Sequence, residues 1–349
     1  MRVKGIIASS VRPASAPTVT ISSTTNFNQS IATFNGTVSA NGAVTTTIKF
    51  QISTDNSNWS DATGGTTISN TSSQSVSVYY NATGLSVGTL YYVRLVATNS
   101  AGTSNSSSTS FTTWALQVYE RSTSGGTTFT IPTVTPTGGS AVAVSIYDII
   151  MFGGGGGNQF GGGGGGGYVD SASVSVTGSR SVTTSVGAGG TAGDGFNTFA
   201  TAGGNTTISG DLTTQTATGG GAGTSTTDIR TGSSGNGYVG GFNRYYSLNK
   251  STAFSGYGGG GGASANGSDG FAGAIGGGAY AGYGGNGGTG VSITRGDVTR
   301  AGGAGGGGFG NNSNGSVGAN NTYGSGGSYY SNGQAGYIRF RYYAASALA

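Results

Sequence analysis

Between residues 18 and 114, apolar and polar positions alternate with a period of two. The stretches "TVTISS", "SIATFNGTVS", "TTTIKFQIST", "SVSVYYNAT", "LYYVRLVATNS" and "STSFTT" follow one another along the chain. Successive side chains of a strand point to opposite faces, so each stretch predicts a half-buried β-strand. Asn41-Gly42 and Gly64-Gly65 punctuate the series with residues that tolerate the positive φ of tight turns. In "LSVGTLYYVRLVATNSAG", Tyr91, Val93, Leu95 and Ala97 fall on one face, and Tyr92, Arg94 and Val96 on the other. Short strands at this spacing predict a β-sandwich.

After residue 114 the pattern changes. Of the 75 glycines, eight lie in residues 1–114 and 67 follow. Strand signals persist among them. "TTFTIPTVT" and "AVAVSIYDIIMF" precede the run "GGGGGNQFGGGGGGGYVD". "GYVDSASVSVTGSRSVTTSVGAGG" predicts a hairpin turning near Gly178, and "GQAGYIRFRYYA" closes the segment with Tyr337, Phe340 and Tyr342. A flexible glycine linker is not usually bracketed by strands and interrupted by lone aromatics such as Phe160, Phe271, Tyr280, Tyr283 and Phe309. Collagen needs a strict Gly-X-Y period with much proline, and neither occurs. Silk-like or loricrin-like low complexity is a third reading.

A packed lattice is the fourth and favoured one. Extended polyglycine forms a helix with three residues per turn and no internal hydrogen bonds. Its N–H and C=O groups point outward on every side. Several such helices side by side can pair these groups with one another, as buried backbone requires. Only glycine permits that approach on all faces. Ordering each residue costs at least ~1–2 kcal/mol of backbone entropy, so the lattice must be cooperative and anchored by its flanking strands.

Composition removes several functions. Charged residues are only 7% of the 349, with a net charge of +4, and the 14 basic residues are scattered. A nucleic-acid binder usually carries a basic stripe, so none is expected as a partner. The chain has no Cys and no His, which excludes disulfides, Cys/His metal sites and histidine-based triads. The GxGxxG-type matches lack a parallel α/β context. Asp148, Asp170, Asp194, Asp211, Asp228, Asp269 and Asp297 stand singly and predict solvated turn carboxylates, so neither enzymatic chemistry nor a cofactor is expected. No run of about 20 apolar residues is present to span a bilayer. The start "MRVKGIIASSVRPASAP" has too short an apolar core for a signal peptide.

Two resemblances sharpen the picture. The pattern formed by Leu85, Gly88, Thr89, Tyr91, Val93, Leu95, Ala97 and Asn99 resembles the corner and following strand of a fibronectin type III domain. That resemblance implies that the Tyr91 hydroxyl bonds back to nearby backbone. "STDNSNWSDA", with Trp59, resembles the middle strands of bacterial and phage versions. "IYDIIMFGGGGG" resembles the glycine-rich domain of phage tail and fibre proteins, where an apolar strand runs directly into polyglycine. In phage adhesins such a polyglycine sandwich carries variable loops that bind the host surface. The glycine-rich module of the anaplastic lymphoma kinase ectodomain is also similar. It has cysteines and a signal sequence, whereas this chain has no Cys and its start predicts no signal peptide.

The expected fold is all-β: a fibronectin III-like β-sandwich over residues 18–114, then a sandwich or jelly-roll-like domain with packed polyglycine II helices over 115–349. Residues 1–17 are expected to form an arm that attaches the protein to other virion proteins. The implied function is a virion structural protein (fibre, spike or decoration) whose glycine-rich tip adheres to host polysaccharide or protein. The implied location is the virion surface, and a homo-oligomer is expected. A bacterial extracellular filament or matrix subunit is the alternative. Candidate surface-binding residues are Phe242, Arg244, Tyr245, Tyr246, Lys250 and Tyr257, with Tyr323, Tyr329 and Tyr330, because tyrosine offers rigid contact area with a polar tip. The competing role for these rings is to seal the lattice. Arg295-Gly296-Asp297 matches the integrin tripeptide, but a solvated turn with offset charges is favoured.

Overall fold

The computed structural model describes residues 13–43, 45–62, 66–68, 74–131, 144–176, 181–194, 198–224, 232–241, 243–249, 252–257, 260–269, 271–276, 279–295, 297–310, 313–319, 321–328 and 330–345. Gly64, Gly65 and Gly178 fall outside them. The described chain is all-β and divides into two compact units, with the main break between Gln117 and Val118.

The first unit is a sandwich. Its strands are β1 (Thr18–Thr25), β2 (Ala32–Ser39), β3 (Thr46–Ser53), β4 (Ser60–Asp61), β5 (Thr66–Ile68), β6 (Val76–Ala82), β7 (Leu90–Asn99), β8 (Gly102–Asn105) and β9 (Thr109–Thr112). One sheet runs β1-β2-β6 and the other β4-β3-β7-β8, with β5 on β3 and β9 on β7. Tyr91, Val93, Leu95 and Ala97 are buried as the alternation predicts, together with Phe34, Phe50 and Phe111. Asn41 and Gly42 take φ of 51° and 88°, the positive values their residue types favour. The Ser86 amide donates to the Tyr91 hydroxyl at 3.0 Å, the corner bond that the motif implies. Of the N-terminal segment, residues 1–12 lie outside the described residues. Ser15 and Ala16 are tied to the sandwich, their carbonyls accepting from Asn99 Nδ2 and Asn41 Nδ2, each at 2.7 Å.

The second unit holds β10 (Ala115–Arg121) from Val118 onward, its first three residues belonging to the first unit, with β11 (Gly125–Thr130), β12 (Val144–Phe152), β13 (Tyr168–Val176), β14 (Ser181–Val186), β15 (Thr206–Gly210) and β16 (Gln215–Ala217). Three hairpins follow. They are β17 (Arg244–Asn249) with β18 (Thr252–Gly256), β19 (Phe271–Gly276) with β20 (Ala279–Tyr283), and β21 (Val291–Arg295) with β22 (Val298–Gly302). β23 (Tyr337–Ala344) returns to the first of two four-stranded sheets, β10-β23-β12-β13, and the other is β11-β14-β15-β16. The sheets meet where Tyr119 and Phe340 face Phe129, with ring centroids 4.9–6.0 Å apart. Alternation along β23 sends Phe340 and Tyr342 to this core and Tyr337, Arg339 and Arg341 to the opposite face. Both faces are covered, and Arg339 is only 1% exposed.

β12 runs straight into Gly153–Gly157, turns at Asn158–Phe160, and returns through Gly161–Gly167 into β13. These two glycine segments are the centre of a lattice. The amides of Gly153 and Gly156 donate to Gly167 and Gly164 at 2.9 and 2.8 Å. Those of Gly154 and Gly157 donate to Gly204 and Thr201, and those of Gly155 and Asn158 to Gln334 and Ser331. Every third residue thus addresses the same neighbour, the period of a polyglycine II helix. The carbonyls of Gly154, Gly155 and Gly156 accept in turn from Gly220, Gly190 and Gly327. One helix therefore has six neighbours, three through donors and three through acceptors.

Side-chain space is filled in the same rhythm. A Cβ on Gly153 or Gly156 would collide with the carbonyls of Thr218 or Gly221, and one on Gly154 or Gly157 with those of Ala188 or Thr191. The obstruction is backbone, which cannot rotate away. At several places an asparagine stands in for a neighbouring carbonyl. The Oδ1 atoms of Asn205, Asn286 and Asn332 accept from the amides of Gly219, Ser316 and Ala192 at 2.7–2.9 Å.

Candidate functional site

The turn Asn158–Phe160 lies where the central glycine helices end, roughly 15 Å beyond the sheet at about 3.1 Å per residue. Phe160 takes a φ of 64°, unusual for a bulky residue. Its ring stacks on Tyr257 with centroids 5.2 Å apart and meets Phe309 at 5.7 Å and Tyr330 at 5.5 Å. The Phe309 amide donates to the Phe160 carbonyl at 2.6 Å, and the Tyr257 amide to the Phe309 carbonyl at 2.8 Å.

Asn158 fixes the turn from beneath. It is fully buried. Its Nδ2 donates to the Gly161 carbonyl at 2.9 Å, and its Oδ1 accepts from the Tyr330 amide at 3.1 Å. Gln159 Nε2 reaches the Thr198 carbonyl at 3.3 Å, which brings the adjacent Phe199 to the same end. Phe199 is 78% exposed and Tyr330 42%. The lattice therefore ends in a set of packed rings, of which Tyr330 is open to solvent, with the exposed Phe199 next to the residue that Gln159 binds.

The sequence candidates separate in space. Tyr257 and Tyr330 come together here. Tyr323 lies at the opposite end of the lattice, stacked on Tyr337 at 4.2 Å and on Phe152 at 6.4 Å. There it packs on the buried cluster of Ile150, Phe152, Ile293 and Tyr337. Arg244, Tyr245 and Tyr246 occupy β17, opposite Gly256, Ser255 and Phe254 of β18. Phe242, Lys250 and Tyr329 fall outside the described residues. Phe160 and Phe309, read in the sequence only as interruptions of glycine, are the centre of the cluster. Asn158 and Phe199 carried no sequence signal beyond their place beside glycine-rich segments.

The second concentration of chemistry is a set of ion pairs on the outer face of the β10-β23-β12-β13 sheet. Three of the seven single aspartates of the sequence find arginines there. Asp148 pairs with Arg341, Asp170 with Arg295, and Asp297 with Arg339 at 3.1 Å. Glu120 binds Arg300 at 2.9 Å. Arg339 Nε and Nη1 are buried and without a partner. Burial would raise the Glu120 carboxyl, but hydrogen bonds from Tyr337 and Arg300 outweigh it and hold the group below its ordinary range. Burial, reinforced by Glu120, pushes the Tyr337 phenol well up. Asp297 is held below its ordinary value by its own amide, against a smaller opposing effect of burial, with help from Arg339 and Arg341. Both charged ends of the integrin-like tripeptide are thus engaged within the molecule, as offset charges of a turn.

Among the described residues, no group of three or more Asp, Glu, His or Cys could hold a metal ion, and no helix is long and apolar enough to cross a membrane. No family model matches the chain, and no curated protein matches it. Among solved structures it is similar in part to the sensor domain of the anti-sigma factor RsgI4 of Pseudobacteroides cellulosolvens. The longer form is 19% identical, with a TM-score of 0.22, over 28% of this chain and 90% of that one. The shorter form is 20% identical, with a TM-score of 0.23, over 30% of this chain and 99% of that one. At that similarity the likeness carries no inference about function.

Proposed function

We propose that this protein is a structural component of a phage virion surface, in a fibre, spike or decoration, and that its glycine lattice presents the distal aromatic cluster to the host. The observation that carries this reading is the pairing of a backbone-locked scaffold with solvent-open rings at its far end. Binding residues are commonly held on loops by a rigid scaffold. Pre-ordered rings lose little entropy on contact, and aromatic side chains dominate recognition energetics. Asn158 and the Phe160 turn would hold the site, and Tyr330 and Phe199 would make the contacts. The N-terminal segment would serve attachment to other virion proteins.

Adsorption tests the reading. The purified full-length chain should compete with virions for binding to host cells. A Tyr330→Ala, Phe199→Ala double variant should lose at least ~10-fold in that competition, about 1.4 kcal/mol, with unchanged thermal unfolding. Antibody raised against the chain should label intact virions. Unlabelled virions would overturn the structural role. Labelled virions with undiminished competition by the variant would overturn the site.

A further inference from the structure

β13 is the terminal strand of its sheet, and its outer edge faces an open groove of about 490 Å³. Ser171, Ser173 and Ser175 line one wall, and Leu212, Thr213 and Gln215 line the other. Among the described residues β13 pairs only with β12, apart from one bridge between Val176 and Leu212. An unpaired edge presents a row of N–H and C=O groups ready for another strand, and proteins usually blunt it with lysine, proline or a bulge. None of these is present in "YVDSASVSV". Its register against β12 runs unshifted from Tyr168 to Val176, whereas β12 is shifted against β23 between Tyr147 and Ile150. The one charge on β13, Asp170, is engaged by Arg295.

We propose that this edge is the contact between two copies of the chain, β13 pairing antiparallel with β13 about a two-fold axis at Ala172. Two-fold dimers are the commonest closed assembly, and their interface must match itself. The strand meets that condition. Pairing about its central residue sets Ser171 opposite Ser173 of the second copy and Asp170 opposite Val174, and it stops short of Val176, where the Leu212 bridge already occupies the edge. Like charges never meet, and the inner pairs are small enough for strands about 4.8 Å apart. A centre at Asp170 would place two carboxylates face to face, which is destabilising. The result is one continuous eight-stranded sheet, built from four strands of each copy.

The chain has no cysteine, so a single introduced thiol is a clean reporter. Residues directly opposite across an antiparallel pair have Cβ atoms about 4.5–5.5 Å apart, near disulfide reach. Ala172→Cys should cross-link two full-length chains under mild oxidation at least ~10-fold faster than Val118→Cys, an exposed position on β10 outside the interface; equal rates would overturn the proposal. In the cysteine-free protein, light scattering should show a concentration-dependent dimer that Ala172→Lys converts to monomer with unchanged thermal unfolding. A wild-type chain that stays monomeric at its highest soluble concentration, or a lysine variant that still dimerises, would overturn it as well.

Discussion

Gly163 has no side chain because the carbonyl of Gly156 occupies the place where one would stand. One residue along, the Gly156 amide donates to the Gly164 carbonyl at 2.8 Å. The same two segments therefore require glycine sterically and hold each other by hydrogen bonds.

This relationship makes the glycines unequal. Gly163→Ala should cost about 3 kcal/mol, because the obstruction is backbone and the lattice must move to admit a methyl group. Gly237 has a φ of 87° and open space around its Cβ direction, so Gly237→Ala should cost only about 1 kcal/mol of backbone strain. Calorimetry should place the two variants several degrees apart in Tm. Equal shifts would contradict a packed lattice.

Amide exchange reads the lattice directly. The amides of Gly163 to Gly167 are bonded to five different backbone carbonyls at 2.7–3.0 Å. They should exchange orders of magnitude more slowly than free glycine, although their residues have no side chains to exclude water. Exchange at the random-coil rate would show that the bonds are not maintained in solution.

Both tryptophans, Trp59 and Trp114, lie in the first unit, so indole fluorescence follows the sandwich alone. Tyr91→Phe removes the acceptor of the Ser86 amide and keeps the ring that stacks on Phe111 at 5.8 Å. A lost hydrogen bond of this kind is worth about 1 kcal/mol. Urea unfolding watched by fluorescence should shift by that amount, while the exchange rates of the glycine lattice stay unchanged.

Acid should loosen the ion-paired face. The Glu120 and Asp297 carboxyls are both held below their ordinary values. Their contribution is therefore complete above the unfolded carboxyl range and is lost as pH falls through the lowered folded values. Thermal stability of the second unit should be level from neutral pH to about 5, then decline below about 4.5. A protein equally stable at pH 3 and pH 7 would show that these pairs contribute nothing.

Arg339 gives a sharper test. Asp297→Ala removes the one carboxylate that, among the described residues, is bonded to a guanidinium 98% covered, and an uncompensated buried charge is costly. Arg339→Met removes the charge and keeps an apolar stem. The double variant should be more stable than Asp297→Ala alone, a non-additivity that a double-mutant cycle measures.

The sequence encodes some elements of this fold legibly and others not. The alternation of Tyr91, Val93, Leu95 and Ala97 needed only the period of a strand, and all four are buried. The strands bracketing the glycine runs were readable for the same reason, as was the need for backbone to fill the space around glycine. Local pattern determines these features because each depends on neighbours one or two residues away.

The partners across the lattice were not readable. Gly155 bonds Gln334 and Gly165 bonds Gly261, and a run of identical residues carries no information about register. Tyr257 and Tyr330 share a neighbour in Phe160, whereas Tyr323, equally aromatic and equally embedded in glycine, lies at the other end. Three of the aspartates that stood alone in sequence, Asp148, Asp170 and Asp297, meet arginines 42 to 193 residues away. Composition determined that this chain builds with backbone in place of side chains. Tertiary structure alone decided which backbones meet, because long-range hydrogen bonding between glycines leaves no mark on their identity.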